Sequence, residues 1–226
     1  MTDRRLIVWD IDFTLLHSGG LARRAYGAAF RAQTGVEPTG YPDFGGRTDL
    51  DAVWELFAIH GLAEPDVDGF FVRYAAEFLD RAHLLPEVGV LLPGARDAVA
   101  ALSGHPHVVQ TTVTGNIAEV ARLKLAAFGL DAAIDLSVGA YGTEARIRSP
   151  LVTACRRRAE AKYGPFDQII VLGDTVHDVT AALDSGAVAI GVASGRTAAE
   201  ALTAAGAHAV LDSLADTPAV VALLTT

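Results

Sequence analysis

Cysteine is nearly missing from this chain: Cys155 stands alone in 226 residues, so no disulfide can form within it and a disulfide-stapled scaffold is excluded. Basic residues are scarce as well, 18 Lys plus Arg against 27 Asp plus Glu, for a formal charge of -9 at pH 7. That balance opposes the counterion release on which nucleic-acid binding depends and disfavours anionic membrane surfaces. No apolar run approaches the ~20 residues that span a bilayer, because Asp, Gly or Pro interrupts each of them. The start, Met1-Thr2-Asp3-Arg4-Arg5, is followed by only Leu6-Ile7-Val8-Trp9 before Asp10, a pattern that does not predict a signal peptide. Internal repeats and low-complexity tracts are missing too. The expectation is a cytoplasmic protein without nucleic-acid or membrane partners. What the chain has in quantity is apolar side chain, 51% against 20% charged. That content excludes disorder, and a chain of this length can bury roughly 70% of its unfolded surface.

Short, mostly β-branched apolar runs near residues 6–9, 107–113, 134–138, 168–173, 187–192 and 208–211 predict buried strands. Between them, residues 95–103, 117–127, 150–163, 177–184 and 197–205 carry helical patterns. Strand and helix alternate, so the expected fold is α/β, a doubly wound, Rossmann-like parallel sheet. About a hundred residues separate the first two strands, far more than one crossover needs. Within them Val67, Phe70, Phe71, Tyr74, Ala75, Phe78 and Leu79 repeat at i, i+3, i+4, i+7, as do Leu50, Val53, Trp54 and Phe57; these spacings predict an all-helical insert. Ser18-Gly19-Gly20 and Leu85-Pro86-Glu87-Val88-Gly89 have linker composition. The expected division is a core of residues 1–16 and 89–226 and an inserted domain of residues 17–88, joined by two linkers that make a hinge.

The first strand ends in Asp10-Ile11-Asp12-Phe13-Thr14, two carboxylates just past a strand's C-terminal end, where open α/β sheets bind ligands. Either Asp can also serve as a turn cap. A second strand repeats the arrangement at Gly173-Asp174-Thr175-Val176-His177-Asp178, although Asp178 also suits a helix N-terminus. Carboxylates on adjacent strand ends, ~4.8 Å apart, repel unless a cation lies between them. Oxygen-only donors without a His/Cys cluster favour Mg²⁺ over Zn²⁺.

With these motifs the chain resembles the haloacid dehalogenase superfamily of phosphatases over nearly its whole length. Asp10-Ile11-Asp12-Phe13-Thr14 is similar to that family's first motif, and Gly173-Asp174 with Asp178 to its fourth. Val108-Val109-Gln110-Thr111-Thr112-Val113-Thr114-Gly115-Asn116 resembles the second, which points to Thr114. For the third-motif cation Arg148, before Ser149-Pro150, is the best match, with Arg146 and Lys124 as rivals. The helical insert resembles the family's C1 cap. Phe13 stands where many relatives have Gly, and it is expected to pack against the cap hinge. The resemblance implies an Mg²⁺-dependent phosphatase in which Asp10 is the nucleophile and Asp12 the general acid and base. It also implies that Thr114 and Arg148 stabilise the phosphoryl oxygens, with Thr14, Gly115 and Asn116 beside the substrate. The metal site implied is Asp10, Asp12 through its backbone carbonyl and Asp174, with Asp178 holding a metal-bound water. The expected partner is a small phosphorylated metabolite, and the chain a monomer or homodimer.

Asp12 separates this chain from the dehalogenases and phosphonate-cleaving relatives, which lack that carboxylate. Thr14 leans towards hydrolysis over a sugar phosphomutase, the alternative activity, and retention of Asp10 and Asp174 speaks against a silent binding protein. In the insert, Arg47 follows Gly45-Gly46. It is expected either to reach an anionic substrate tail or to remain solvated while Thr48 caps the next helix. His177 reads as a helix-face residue, and His17, His60, His83, His105, His107 and His208 lack metal spacing. Cys155 reads as a buried thiol, Arg156-Arg157-Arg158 as a solvated helix face, and Gly191-Val192-Ala193-Ser194-Gly195-Arg196 as a loop that shapes the site.

Overall fold

A computed structural model describes residues 4–226. Met1–Asp3, the first residues of the expected core and of the leader reading, lie outside them. The chain begins with β1 (Arg5–Trp9) and β2 (Leu16–His17), then enters the insert with α1 (Leu21–Thr34), α2 (Asp49–Ile59), α3 (Val67–Arg81) and the single turn α4 (Leu85–Val88). It leaves through β3 (Val90–Leu91) and continues with α5 (Ala95–Ser103), β4 (Val108–Thr112), α6 (Ala118–Ala127) and α7 (Ser149–Tyr163). The last part alternates β5 (Gln168–Gly173), α8 (Val176–Asp184), β6 (Val188–Val192), α9 (Ala199–Ala204), β7 (Ala209–Leu211) and α10 (Thr217–Thr225). The main sheet is parallel, in the order β4-β1-β5-β6-β7.

β1 is central, and all five of its residues are buried. Successive side chains of a strand point to opposite faces. Ile7 and Trp9 therefore pack with Ala98, Val99 and Leu102 of α5 and Leu224 of α10, while Leu6 and Val8 pack with Val152 and Cys155 of α7 and Val179 of α8. Helices cover both faces, which is why the strands read as unbroken apolar runs. A polar intrusion beside it is satisfied: Trp9 Nε1 donates to Gln110 Oε1 (3.0 Å), and Gln110 Nε2 donates to the Val99 carbonyl (3.0 Å).

Four local departures from expectation follow from local chemistry. Residues 134–138 do not form a strand. Asp135 accepts from Ser137 N (3.0 Å), which winds Leu136–Val138 into a 3-10 turn, and isolated hydrogen bonds such as Asp135 N to Gln110 O (2.8 Å), Thr111 Oγ1 to Asp135 O (2.9 Å) and Ala140 N to Thr112 O (3.1 Å) tie the segment to the edge of β4. The linkers pair with one another, β2 antiparallel to β3, so the chain enters and leaves the insert through a two-stranded ribbon. α10 lacks polar alternation and gives no amphipathic signal. It starts where Asp216 accepts from Ala219 N (3.1 Å), with Pro218 in the first turn. Within the insert α1, whose apolar face runs Leu21, Ala25, Tyr26, Ala29, Phe30, lies outside the two helical spacings that predict the insert.

The insert holds its own apolar cluster, in which Tyr26 meets Phe70 and Tyr74 edge-on at 4.7 and 4.9 Å and Phe30 meets Phe57 at 5.2 Å. Such pairs add ~0.5–1.5 kcal/mol each beyond the area they bury. Ile117 and Val120, at the start of α6, belong to the same cluster and seat the insert on the core. Among the described residues no helix is long and apolar enough to cross a membrane.

Candidate active site

The connections leaving β1 and β5 run to opposite sides of the sheet, which opens a crevice at their C-terminal ends. Trp9 pairs in register with Leu172, which brings Asp10, one residue past Trp9, close to Asp174, two residues past Leu172, at that crevice. Asp10 is buried, its backbone N–H bonded to the Leu172 carbonyl (2.9 Å), and Thr14 Oγ1 donates to its Oδ2 (3.2 Å). Asp178 comes from the first turn of α8. Its Oδ2 accepts from Thr175 N (3.1 Å) and Thr175 Oγ1 (2.6 Å), so it belongs to a capping box and to the crevice at once.

Oxygens of Asp10, Asp174 and Asp178 all lie within 4.8 Å of one another, and the three residues are buried. Arg148 answers part of that charge: its guanidinium donates to Asp10 Oδ1 (2.9 Å) and pairs with Asp178, while its buried Nε has no partner among the described residues. Burial, and then the neighbouring carboxylates, hold both Asp10 and Asp174 above the usual carboxylate range, against the opposing pull of Arg148. One cation among three buried carboxylates leaves a charge deficit that a hard divalent ion with oxygen ligands fits. A Cβ on Gly195 would collide with Asp174 Oδ2, so the loop at 191–196 closes tightly over that carboxylate.

Asp12 points away from this cluster. Lys124 Nζ donates to both of its carboxylate oxygens (2.7 Å each) and to Asn116 Oδ1 (2.7 Å), while Asn116 Nδ2 donates to Asp12 Oδ2 (2.7 Å). Phe13 makes this divergence possible. It has φ 62°, a left-handed conformation uncommon outside glycine, with its carbonyl held by Ser194 Oγ (2.6 Å) and its ring stacked on His17 of the ribbon at 5.6 Å. Thr114 is fully buried, its Oγ1 accepting from Asn116 N (3.3 Å) and Nδ2 (2.7 Å).

The three candidate cations are thus distributed. Arg148 lies in the carboxylate cluster and Lys124 on Asp12. Arg146, more than half exposed, reaches Asp51 of the insert (2.9 Å) and lies over the Trp54 ring at 5.6 Å. Arg47 does not bring its guanidinium to the cluster: Nε donates to Asp51 Oδ2 (2.7 Å) and Nη1 pairs with Glu55, while Thr48 accepts from Asp51 N (3.2 Å) and caps α2. The Arg47 carbonyl instead presses on Gly115, where a Cβ would clash. His177 packs beside Gly46 at the cavity wall. Cys155 is fully buried, and burial pushes its thiol up to about 12. Of the basic run, Arg156 pairs with Glu160 and Arg158 with Glu144.

Core and insert together enclose a cavity of about 800 Å³ with Asp10, Asp12, Asn116, Arg148 and Asp174 on its core side. Its insert side holds residues that sequence reasoning passed over, Tyr26, Asp49 and Tyr74. Tyr74 falls within the apolar stripe of α3, and Tyr26 lies on α1, outside the helical spacings read from the sequence. Asp49 N donates to the Gly115 carbonyl (2.7 Å), and its Oδ2 accepts from Ile117 N (2.9 Å). The signal for Lys124 was visible, a charge on the helical face that carries Val120, Ala121 and Leu125.

A family model described as haloacid dehalogenase-like hydrolase matches residues 7–183. The chain is similar in fold to a predicted phosphatase from Clostridium acetobutylicum, with 17% identity, TM-score 0.70 and full coverage of both chains. A predicted phosphoglycolate phosphatase from Haemophilus somnus 129pt gives 20% identity and TM-score 0.68 over 98% of this chain and 99% of that one. CbbY from Rhodobacter sphaeroides, solved in complex with phosphate, gives 20% identity and TM-score 0.70 over 95% and 96%. No curated protein matches by sequence.

Proposed function

The chain belongs to the haloacid dehalogenase-like hydrolases, and on that premise we propose that it is a Mg²⁺-dependent phosphatase that hydrolyses a small phosphate monoester through an aspartyl phosphate on Asp10. The observation that carries this reading is Asp10 itself: a buried carboxylate on the cavity floor, ion-paired to an Arg148 whose remaining buried N–H lacks an acceptor. A phosphoryl oxygen supplies such an acceptor. Asp10 Oδ attacks phosphorus in line, the bond to the leaving oxygen breaks, and water later attacks the acyl phosphate and returns Asp10. A carboxylate approaches an anionic phosphate poorly, so Arg148, the Thr114 hydroxyl and the backbone N–H groups around Ile11 and Gly115 offset the equatorial charge. Thr14 orients Asp10 through its 3.2 Å hydrogen bond, and Asn116 steadies Asp12.

Asp12 is the proton carrier. It gives its proton to the departing alkoxide and takes one from the attacking water. In the structure both of its oxygens are held by Lys124 and Asn116, so service at the reacting oxygen requires one of them to leave that clamp. Asp10, Asp174, Asp178 and the Asp12 carbonyl would hold the ion. The chemistry that Mg²⁺ supplies when bound is neutralisation of phosphoryl and carboxylate charge. Residues 17–88 act as the cap that covers the leaving group, and the enzyme works in the cytoplasm.

The test is a screen of phosphorylated metabolites and an aryl phosphate for phosphate release, with and without Mg²⁺. Release that depends on Mg²⁺ and on Asp10 is expected. Transfer of the phosphoryl group to a second sugar, without net release of phosphate, would replace the hydrolase by a phosphomutase.

A further inference from the structure

The buried wall opposite the nucleophile has an unusual chemical balance. Each buried cation near it is paired with a carboxylate in this structure. An ammonium has three N–H groups, and those of Lys124 meet two Asp12 oxygens and Asn116 Oδ1. Arg148 is directed to Asp10 and Asp178, and Arg47 to Asp51 and Glu55. The other cavity arginines, Arg23 and Arg196, are exposed; Arg23 lies over the Tyr41 ring at 4.3 Å. At such exposed positions an ion pair contributes little.

Two polar groups on this wall do have capacity to spare. Asp49, 8% exposed, uses Oδ2 to accept the Ile117 N–H, and its Oδ1 takes no hydrogen bond from the described residues. Tyr74 is 1% exposed and lines the cavity, yet its hydroxyl has no hydrogen-bond partner among the described residues. Burial comes first among the causes that hold its phenol protonated, with the Asp49 charge next. Tyr26, beside Tyr74, is committed as a donor to the Asp49 carbonyl (2.9 Å). Asp49 and Tyr74 both line the cavity and have no partner for this capacity among the described residues, so a ligand that enters can use it. The complement of this pair is a hydroxyl group, which can donate to the carboxylate and accept from the phenol. Where Asp49 is ionised, above about pH 7, a carboxylate in the same place would meet it head-on, and each buried cation nearby is already paired with another carboxylate.

Building on the phosphatase reading, we infer that Asp49 and Tyr74 are the specificity-determining residues for the leaving group, and that they select monophosphates of polyols or sugars over monophosphates of hydroxy acids.

The experiment compares glycerol 3-phosphate with 3-phosphoglycerate, which share a three-carbon skeleton and differ by a hydroxymethyl group against a carboxylate, with 4-nitrophenyl phosphate as a leaving group that has neither. With the full chain and Mg²⁺, kcat/KM for glycerol 3-phosphate should exceed that for 3-phosphoglycerate by at least about tenfold, as expected where a buried polar site discriminates. Asp49→Asn and Tyr74→Phe should each compress this ratio several-fold, with a melting temperature close to that of the parent showing that the variants fold. Equal or better turnover of 3-phosphoglycerate while the aryl ester is still hydrolysed would overturn this inference and leave the phosphatase reading standing. So would a ratio untouched by either substitution. Absence of turnover of all three esters would count against the phosphatase reading, and the inference would go with it.

Discussion

The core presents its reactive groups by backbone placement, whereas the insert presents its groups by packing. Asp10 and Asp174 follow β1 and β5, so the parallel register fixes where their carboxylates go before any side chain packs. Tyr26, Asp49 and Tyr74 come from three helices, α1, α2 and α3, and meet only because an aromatic cluster brings those helices together. Reactive geometry therefore depends on the sheet, which tolerates little movement. On the proposed reading, selectivity rests on a unit joined to the core by a two-stranded ribbon and by the packing of α6 into its apolar cluster. Changes in the core should thus act on chemistry, and changes in the insert on which molecule is accepted.

The largest effect expected is that of Asp10→Asn, which keeps the shape and removes the attacking oxygen. Turnover of every ester should fall together by roughly 10³-fold or more, about 4 kcal/mol of barrier. Steady-state phosphate release with an aryl and an alkyl ester measures it. Retention of activity within about tenfold, a ~1.4 kcal/mol change, would show that covalent catalysis does not run through this residue.

Next in size is Asp12→Ala. Loss of a general acid costs ~10²–10⁴-fold where the leaving alkoxide needs a proton, and much less where it does not. Rapid-quench measurement of enzyme phosphorylation should show alkyl esters impaired far more than aryl esters. Equal losses would make Asp12 a structural partner of Lys124 and nothing more.

These two effects concern residues that were legible in the sequence, and the reason is local. Asp10-Ile11-Asp12 and Gly173-Asp174 stand at the ends of uninterrupted apolar runs, so a strand pattern of five or six residues locates them. Arg148 was legible only as one of three cations, because its partners Asp10 and Asp178 are 138 and 30 residues away. Asp49 and Tyr74 were illegible for the same reason in stronger form. Nothing near Asp49 in sequence announces that its N–H and carboxylate meet Gly115 and Ile117. Residues 134–138 misled in the opposite sense: they have strand composition, but Asp135 turns the backbone by capping it locally.

A smaller effect should separate core from insert by pH. Burial pushes Asp49 up to about 7 from an ordinary 3.8. Between roughly pH 4 and pH 7 the folded protein therefore holds a proton that the unfolded chain has released. Stability must fall as pH rises through that window, with a slope that cannot exceed about 1.4 kcal/mol per pH unit for one proton. Asp10 and Asp174 have the same sign of shift, but Mg²⁺ between them would remove their share. Denaturant unfolding at pH 5 and pH 8 should show a loss of stability at the higher pH that Mg²⁺ reduces and Asp49→Asn reduces further. If Mg²⁺ alone abolished the dependence, Asp49 would have to be ionised in the folded protein well below pH 7.

The smallest effect tests whether the insert reaches the chemistry at all, and two helix caps provide a matched pair. Asp66 caps α3 by accepting from Gly69 N (3.1 Å), an exposed contact wholly within the insert. Thr48 caps α2 in the same manner, but it is 1% exposed and its Oγ1 also donates to the Arg146 carbonyl (3.1 Å), two residues before Arg148. Removal of either cap by Asp66→Ala or Thr48→Ala should cost about 1 kcal/mol of stability. Only Thr48→Ala frees the loop that delivers the Arg148 guanidinium to Asp10. Turnover should therefore drop a few-fold in Thr48→Ala and stay at the parent level in Asp66→Ala, with kcat affected more than KM because the charge at phosphorus is what loses its partner. Equal kinetics in two equally destabilised variants would mean that the insert sits on this loop without positioning Arg148, and that the core holds its cation unaided.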